Sequence, residues 1–225
     1  MTLSRIVLCT LISITANTYV FAAEQDQASI SAGQTKSSTC QGCHGPDGNS
    51  FSPDWPSLAQ QNANYLGKQI HDFQSGARKD PTMSSMVIGL NEQDIRDIAA
   101  YFAAQAVKAD PAAKSASGKK IYAGGNNYNH VPACAGCHGP NGAGNGPGAI
   151  PSLAGQKTGY TAKALRDFKS KARSNDRNNI MQDIAAKMTE KEIDAVALFL
   201  AGMGAETAAA EKESANCDRA RRDNY

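Results

Sequence analysis

The sequence predicts an all-α fold built from two tandem copies of one small domain. No segment shows the period-two alternation of a half-buried strand, whereas several segments place apolar residues at helical spacing. The chain also matches itself at an offset of 94 to 98 residues, which is typical of a duplication. Each copy holds roughly 80 to 90 residues, a size at which a protein core alone is only marginally stable.

The duplication is visible in several short segments. Residues 44–48 (HGPDG) correspond to residues 138–142 (HGPNG), and residues 56–59 and 151–154 both read PSLA. Further matches pair Tyr65, Phe73 and Arg78 of the first copy with Tyr160, Phe168 and Arg173 of the second. We therefore expect a first domain at residues 23–108 and a second at residues 118–203.

The linker and the two ends of the chain differ from these copies. Residues 109–117 have linker composition and contain Pro111, which ends any helix that enters the segment. A basic residue followed by a short apolar run and small residues predicts a secretory signal at residues 1–22. A retained membrane anchor is the alternative, but polar residues interrupt the run. Residues 204–225 lack periodicity and are expected to form a disordered tail.

The last helix of each copy has the clearest local pattern. In the first copy, Asn91 is the predicted N-cap, with Asp94 three residues on and an apolar stripe that runs to Phe102. In the second copy, Thr189 and Glu192 form a predicted capping box before an equivalent stripe. These stripes are core positions.

A five-residue motif, Cys-x-x-Cys-His, occurs once in each copy, at residues 40–44 and 134–138. Two thiols three residues apart share one face of a helical turn, where they can reach the two vinyl groups of a porphyrin. This is the attachment motif of c-type haem, with the histidine as the proximal iron ligand. The predicted cofactors are therefore two covalently bound haem c groups. The attachment residues would be Cys40, Cys43, Cys134 and Cys137, and the proximal ligands His44 and His138.

The cysteine spacing admits two other interpretations. A redox-active cysteine pair and a four-cysteine zinc site both use such spacing, but neither explains a histidine directly after both pairs. After removal of the signal, Cys217 is the one cysteine that the motifs do not use. In an oxidising compartment it can link two chains in a disulfide dimer, and an inert or capped thiol is the alternative.

The sixth iron ligands can be chosen by comparing the two copies. Met83 lies eight residues before Asn91, and Met181 lies eight residues before Thr189, so the two methionines are equivalent. Met86 corresponds to an isoleucine and Met188 to a leucine, which predicts core residues. His71 corresponds to an arginine and His130 lies in an insertion, and both are expected at the surface.

Together these residues resemble the bacterial dihaem cytochromes c4, in which two class I cytochrome c domains are fused. The likeness covers residues 33–203 and includes both haem motifs, both PSLA segments and the segments around Met83 and Met181. It implies that these methionines are the distal ligands, and that the carbonyls of Pro56 and Pro151 orient the proximal histidines. It further implies a periplasmic electron carrier, not an enzyme.

The resemblance also suggests the partners. It implies a quinol-oxidising complex as electron donor and a haem-copper terminal oxidase as acceptor, with peripheral membrane association left open. Nucleic acid is not an expected partner. The alternatives are a dihaem subunit of a sulfur-oxidising or dehydrogenase complex and, less favoured, a dihaem peroxidase, which needs an open iron position.

Charge is divided unevenly between the copies. Residues 24–108 contain six Lys or Arg against nine Asp or Glu, and residues 109–202 contain twelve against seven. A polarised molecule can dock two partners by opposite ends and gain encounter rate by steering. A merely solvated surface is the alternative explanation.

Overall fold

The computed structural model describes residues 29–204 and confirms the all-α class. In chain order the helices are α1 (residues 29–36), α2 (Ser38–His44), α3 (Ala63–Ser75), α4 (Pro81–Val87), α5 (Glu92–Ala103), α6 (Ala116–Gly124), α7 (Ala135–His138), α8 (Thr158–Lys169), α9 (Ile180–Lys187) and α10 (Glu190–Gly202). Helices α6 to α10 repeat the order of α1 to α5. A 3₁₀ turn, Arg177–Asn179, precedes α9, and extended pairing within residues 29–204 is limited to two isolated bridges, Asn126 with Val131 and Asn145 with Ile150.

The predicted N-cap at Asn91 and the predicted capping box at Thr189 are confirmed, and the first is a capping box as well. The Asn91 side chain accepts hydrogen bonds from the N–H groups of Gln93 and Asp94, and Asp94 accepts one from the N–H of Asn91. Thr189 and Glu192 form the same reciprocal pair at the start of α10. Because each box satisfies N–H groups that have no partner within the helix, the start of the last helix is fixed locally in both copies.

The first and last helices of each copy cross at a glycine. A Cβ atom added to Gly33 of α1 would lie 1.9 Å from the carbonyl oxygen of Asp97 in α5. A Cβ added to Gly118 of α6 would lie 2.0 Å from the carbonyl oxygen of Ala195 in α10. The two helices therefore touch backbone to backbone in both copies, and a side chain at either glycine would force them apart.

One prediction about the core is wrong. Met188 is 3% exposed and packs in the core as expected, but Met86 is 43% exposed. Val87, one position further along α4, takes the inward direction and is 4% exposed. Met86 corresponds to Ile184 in the repeat, which indicated an apolar position. The rotation of α4 about its own axis instead directs the Met86 side chain outward.

The two copies contact each other through equivalent residues. Gln61 accepts a hydrogen bond from the N–H of Ser152 (2.7 Å) and donates one to its carbonyl (2.9 Å). Gln156, the repeat equivalent of Gln61, makes the same pair of bonds to Ser57, at 2.8 and 2.9 Å. We call this pseudo-twofold contact the seam. Its reciprocity is the pattern expected when two like surfaces face each other.

Two predictions concern the ends of the chain. Residues 1–22, where a secretory signal was predicted, and Cys217 lie outside the described residues. Within residues 29–204, no helix is both long and apolar enough to cross a membrane.

Candidate haem-binding sites

Each Cys-x-x-Cys-His motif ends at a buried histidine held by a proline carbonyl. His44 is the last residue of α2 and His138 is the last residue of α7, and each is 7% exposed. The Nδ1 atom of His44 lies 2.8 Å from the carbonyl oxygen of Pro56, and that of His138 lies 2.9 Å from the carbonyl oxygen of Pro151. The hydrogen bonds expected from both proline carbonyls are confirmed. Because a carbonyl only accepts, Nδ1 carries the proton and Nε2 keeps a free lone pair.

Burial also keeps both imidazoles in the form that binds a metal. It lowers the pKa of His44 and His138 below the usual value, and the hydrogen bond to the proline carbonyl offsets this only in part. A neutral imidazole with Nδ1 fixed as donor is the arrangement expected of an axial ligand.

The first cysteine of each motif has a raised thiol pKa. Burial raises the pKa of the Cys40 thiol, and it raises that of Cys134 to about 11. Reactive cysteine pairs depend instead on a lowered thiol pKa. In the part of the chain that the structure describes, no group of three or more His, Cys, Asp or Glu residues could hold a metal ion.

The two equivalent methionines lie in the first turn of equivalent short helices. The N–H of Met83 in α4 donates to Oδ1 of Asp80 (2.9 Å), and the N–H of Met181 in α9 donates to Oδ2 of Asp176 (2.8 Å). Both side chains are partly buried. Helix α4 packs on α3 and helix α9 on α8, so each methionine helix has the same neighbour in its own copy.

Comparison with known proteins places this geometry in a family. The family model for cytochrome c matches residues 30–105 and again residues 115–204. Cytochrome c4 of Azotobacter vinelandii is 44% identical over 185 residues, covering 76% of this chain and 88% of the relative. The crystal structure of reduced recombinant cytochrome c4 from Pseudomonas stutzeri superposes with a TM-score of 0.72 at 43% identity, covering 77% of this chain and 97% of that chain. The chain belongs to the dihaem cytochrome c4 family.

A thiosulfate dehydrogenase electron acceptor of Stutzerimonas stutzeri (strain A1501) is 34% identical over 172 residues, covering 73% of this chain and 79% of the relative.

As a member of the cytochrome c4 family, the chain carries two covalently bound haem c groups and is an electron carrier, not an enzyme. The residues present fit the cofactor: each copy offers two thiols three residues apart, an imidazole with a free Nε2 and a thioether on a separate helix. One buried polar atom of the second copy also fits the cofactor. The Thr161 hydroxyl is buried and has no hydrogen-bond partner within residues 29–204. Its repeat equivalent is Leu66, a core residue of the first copy.

The remaining histidines lie away from these sites. The His71 side chain is 43% exposed and faces Glu92 at 3.4 Å, and His130 is exposed in the loop before α7. The predicted surface positions are therefore confirmed.

Sequence reasoning missed one set of contacts between the two copies. Arg78 and Arg173 each donate a hydrogen bond across the seam to a tyrosine of the opposite copy. The available clue was that both copies place Tyr, Phe and Arg at the same spacing.

Proposed function

We propose that His44 and Met83 close both axial positions of the first haem iron, and His138 and Met181 those of the second. Cys40, Cys43, Cys134 and Cys137 would supply the thioether bonds. Support comes from the equivalence of the copies. Both histidines are buried, protonated at Nδ1 and held by a proline carbonyl. Both methionines lie in the first turn of a helix, and the N–H of each donates to an aspartate.

This arrangement favours electron transfer over substrate chemistry. When bound, each haem c supplies an iron that takes up and releases one electron. The histidine and methionine would leave no axial position for a substrate, and a thioether ligand in an apolar surrounding favours a raised reduction potential. The proline carbonyls keep the imidazoles fixed, so little rearrangement of the protein accompanies a change of charge.

The proposed setting is the periplasm, with electrons passing from a quinol-oxidising complex to a haem-copper terminal oxidase. The apolar run predicted as a secretory signal and the 44% identity to a cytochrome c4 support this setting. We further propose the domain limits 23–108 and 118–203 for the two electron-carrying units.

Membranes that contain the quinol-oxidising complex and the oxidase, freed of soluble cytochromes, provide the test. Adding the purified holoprotein should restore quinol-dependent oxygen uptake, and Met83→Ala and Met181→Ala should each lower it. If oxygen uptake stays at the level without cytochrome, although quinol reduces the added protein, the proposed acceptor is wrong.

Similarity to a thiosulfate dehydrogenase electron acceptor supports a second candidate function. In that case the protein would accept electrons from a sulfur-oxidising enzyme, through the same residues. Reduction by thiosulfate in the presence of a purified thiosulfate dehydrogenase, faster than reduction by the quinol-oxidising complex, would favour this candidate.

A further inference from the structure

Gln156 of the second copy reaches the haem-binding site of the first. Its Oε1 atom accepts a hydrogen bond from the N–H of Ser57 at 2.8 Å, and its Nε2 atom donates one to the Ser57 carbonyl at 2.9 Å. Ser57 directly follows Pro56, whose carbonyl accepts the hydrogen bond from Nδ1 of His44. The Pro56 carbonyl and the Ser57 N–H belong to one peptide group. A chain of hydrogen bonds therefore runs from the His44 imidazole, through this peptide group, to a side chain of the opposite copy.

The second haem-binding site has the same chain of hydrogen bonds in the reverse direction. Nδ1 of His138 donates to the carbonyl of Pro151 at 2.9 Å. The N–H of the same peptide group, that of Ser152, donates to Oε1 of Gln61 in the first copy at 2.7 Å. Each copy thus places a glutamine on the peptide group that holds the proximal histidine of the other.

The first copy holds this segment at a further point. Nδ2 of Asn62 donates to the carbonyl of Ile150, the residue before Pro151, at 2.8 Å. The peptide group that orients His138 is therefore bound from the first copy on both of its flanks.

Both glutamines are fixed in orientation. Oε1 of Gln156 accepts a second hydrogen bond, from the N–H of Lys157 at 2.9 Å, and Oε1 of Gln61 accepts one from the N–H of Asn62 at 3.0 Å. Because two N–H groups converge on this atom, it is the carboxamide oxygen and not the nitrogen. Gln61 and Gln156 are each 6% exposed. Bulk water therefore has little access to the carboxamides that make these bonds.

The geometry of a peptide group makes the glutamine and the histidine dependent on each other. A trans peptide group is planar, and its C=O and N–H lie on opposite edges, so a hydrogen bond at each edge fixes the whole plane. Hydrogen bonds in such a chain also polarise and strengthen one another. The glutamine oxygen therefore both orients the proline carbonyl and makes it a stronger acceptor for Nδ1–H of the histidine.

The effect on the haem follows from the ligand. A stronger hydrogen bond at Nδ1 raises the basicity of the imidazole at Nε2. A ligand that donates more electron density stabilises the ferric state and lowers the reduction potential, which outer hydrogen bonds are known to tune. Loss of the glutamine should therefore raise the potential of the haem in the opposite copy.

We propose that Gln61 and Gln156 are positioning residues for the haem of the opposite copy. Each holds the peptide group that orients the proximal histidine there, and so lowers the reduction potential of that haem. The inference rests on the proposed role of His44 and His138 as proximal ligands. The seam then does more than join the copies, because the potential of each haem depends on a side chain of the other copy.

Haem-loaded Gln156→Met and Gln61→Met proteins test this inference. Methionine has nearly the length of glutamine but has no N–H donor and only a weak acceptor. Redox titration followed by NMR gives the midpoint potential of each haem separately. At a fixed solution potential near the midpoint, Gln156→Met should raise the ratio of reduced to oxidised haem severalfold at His44 and leave it unchanged at His138. Gln61→Met should do the reverse, and in each variant the Nδ1–H of the affected histidine should exchange with solvent faster.

Two further variants separate this role from a general weakening of the seam. Asn64→Ala removes a hydrogen bond from Nδ2 to the Gly146 carbonyl of the other copy, at 3.1 Å and away from the Pro151 peptide group, and should leave both potentials unchanged. Gln156→Glu keeps an acceptor oxygen for the Ser57 N–H, so the potential of the haem at His44 should not rise. A rise in Gln156→Glu as large as in Gln156→Met would overturn the proposal. Equal shifts of both haems in the glutamine variants, or no shift in either variant, would overturn it as well.

The wild-type spectrum separates a failure of this inference from a failure of the proposed function. Shifted ring resonances of His44 and His138, and the methyl resonance of a bound methionine at each haem, establish the axial ligands. If these are present and the glutamine variants keep wild-type potentials, only the positioning role is wrong. If they are absent, the proposed ligation is wrong and this inference falls with it.

Discussion

The backbone N–H of Met83 donates a hydrogen bond to Oδ1 of Asp80, 2.9 Å away. Asp176 holds the N–H of Met181 in the same way, at 2.8 Å, although the chain reaches it through a 3₁₀ turn that the first copy lacks. The two copies thus hold the methionine N–H in the same way, although the chain before each methionine differs. An aspartate at the start of a short helix fixes the backbone of the methionine and suits the partial positive charge of that helix end.

Loss of the aspartate cap should loosen the methionine helix. Asp80→Ala removes the acceptor for the Met83 N–H and should cost about 1 kcal/mol of unfolding free energy. Asp80→Asn should lose much less, because asparagine is an equally good N-cap residue. Denaturant unfolding of the holoproteins measures both. Equal losses in the two variants would show that the negative charge matters rather than the cap.

The glycine crossings give a second prediction. Gly118→Ala would place a Cβ atom 2.0 Å from the carbonyl oxygen of Ala195, so the helices must separate, at a cost of about 1–3 kcal/mol or more. Gly124→Ala is the matched control, because it lies in the same helix with no atom within 4 Å of the added Cβ. That variant should be neutral or more stable, since alanine favours helix. Thermal unfolding distinguishes the two.

The parts of this molecule that the sequence could predict depend on neighbours in the chain. The Thr189–Glu192 capping box and the turn that joins the cysteines to His44 are local, so spacing alone determines them. The Met86 side chain depends on how α4 is rotated against its neighbours, and repeat equivalence does not determine that. The Arg78–Tyr160 contact joins residues 82 positions apart and exists only because the copies face each other.

The uneven charge predicts docking that depends on the second copy. Lys163 pairs with Asp167, and Lys169 binds Glu190 and the Met188 carbonyl, whereas Lys171 is exposed and forms no ion pair within residues 29–204. Lys169 is left unchanged in the test, because its hydrogen bond to the Met188 carbonyl is made to a buried core residue.

Neutralising Lys163 and Lys171 to Gln should therefore slow electron exchange with one partner, most strongly at low ionic strength. Lys79→Gln on the first copy provides a control for a change of positive charge elsewhere. Stopped-flow rates at several salt concentrations measure the effect. Unchanged rates with every partner at all ionic strengths would mean that the charge asymmetry is only solvated surface.

The final prediction asks whether Met83 and Met181 close the two irons. The reduced wild-type protein at neutral pH should bind carbon monoxide poorly, because both axial positions are filled. Met83→Ala and Met181→Ala should each open one haem, so that one carbon monoxide binds per protein and the other haem keeps its methionine-ligated spectrum.

Met188→Ala should leave both spectra unchanged and cost about 2–5 kcal/mol of stability, since Met188 is buried. Met86→Ala should change stability by less than about 0.5 kcal/mol, because its side chain is exposed. Ready binding of carbon monoxide by the unmodified protein would instead show an open iron and make that haem a candidate catalytic centre.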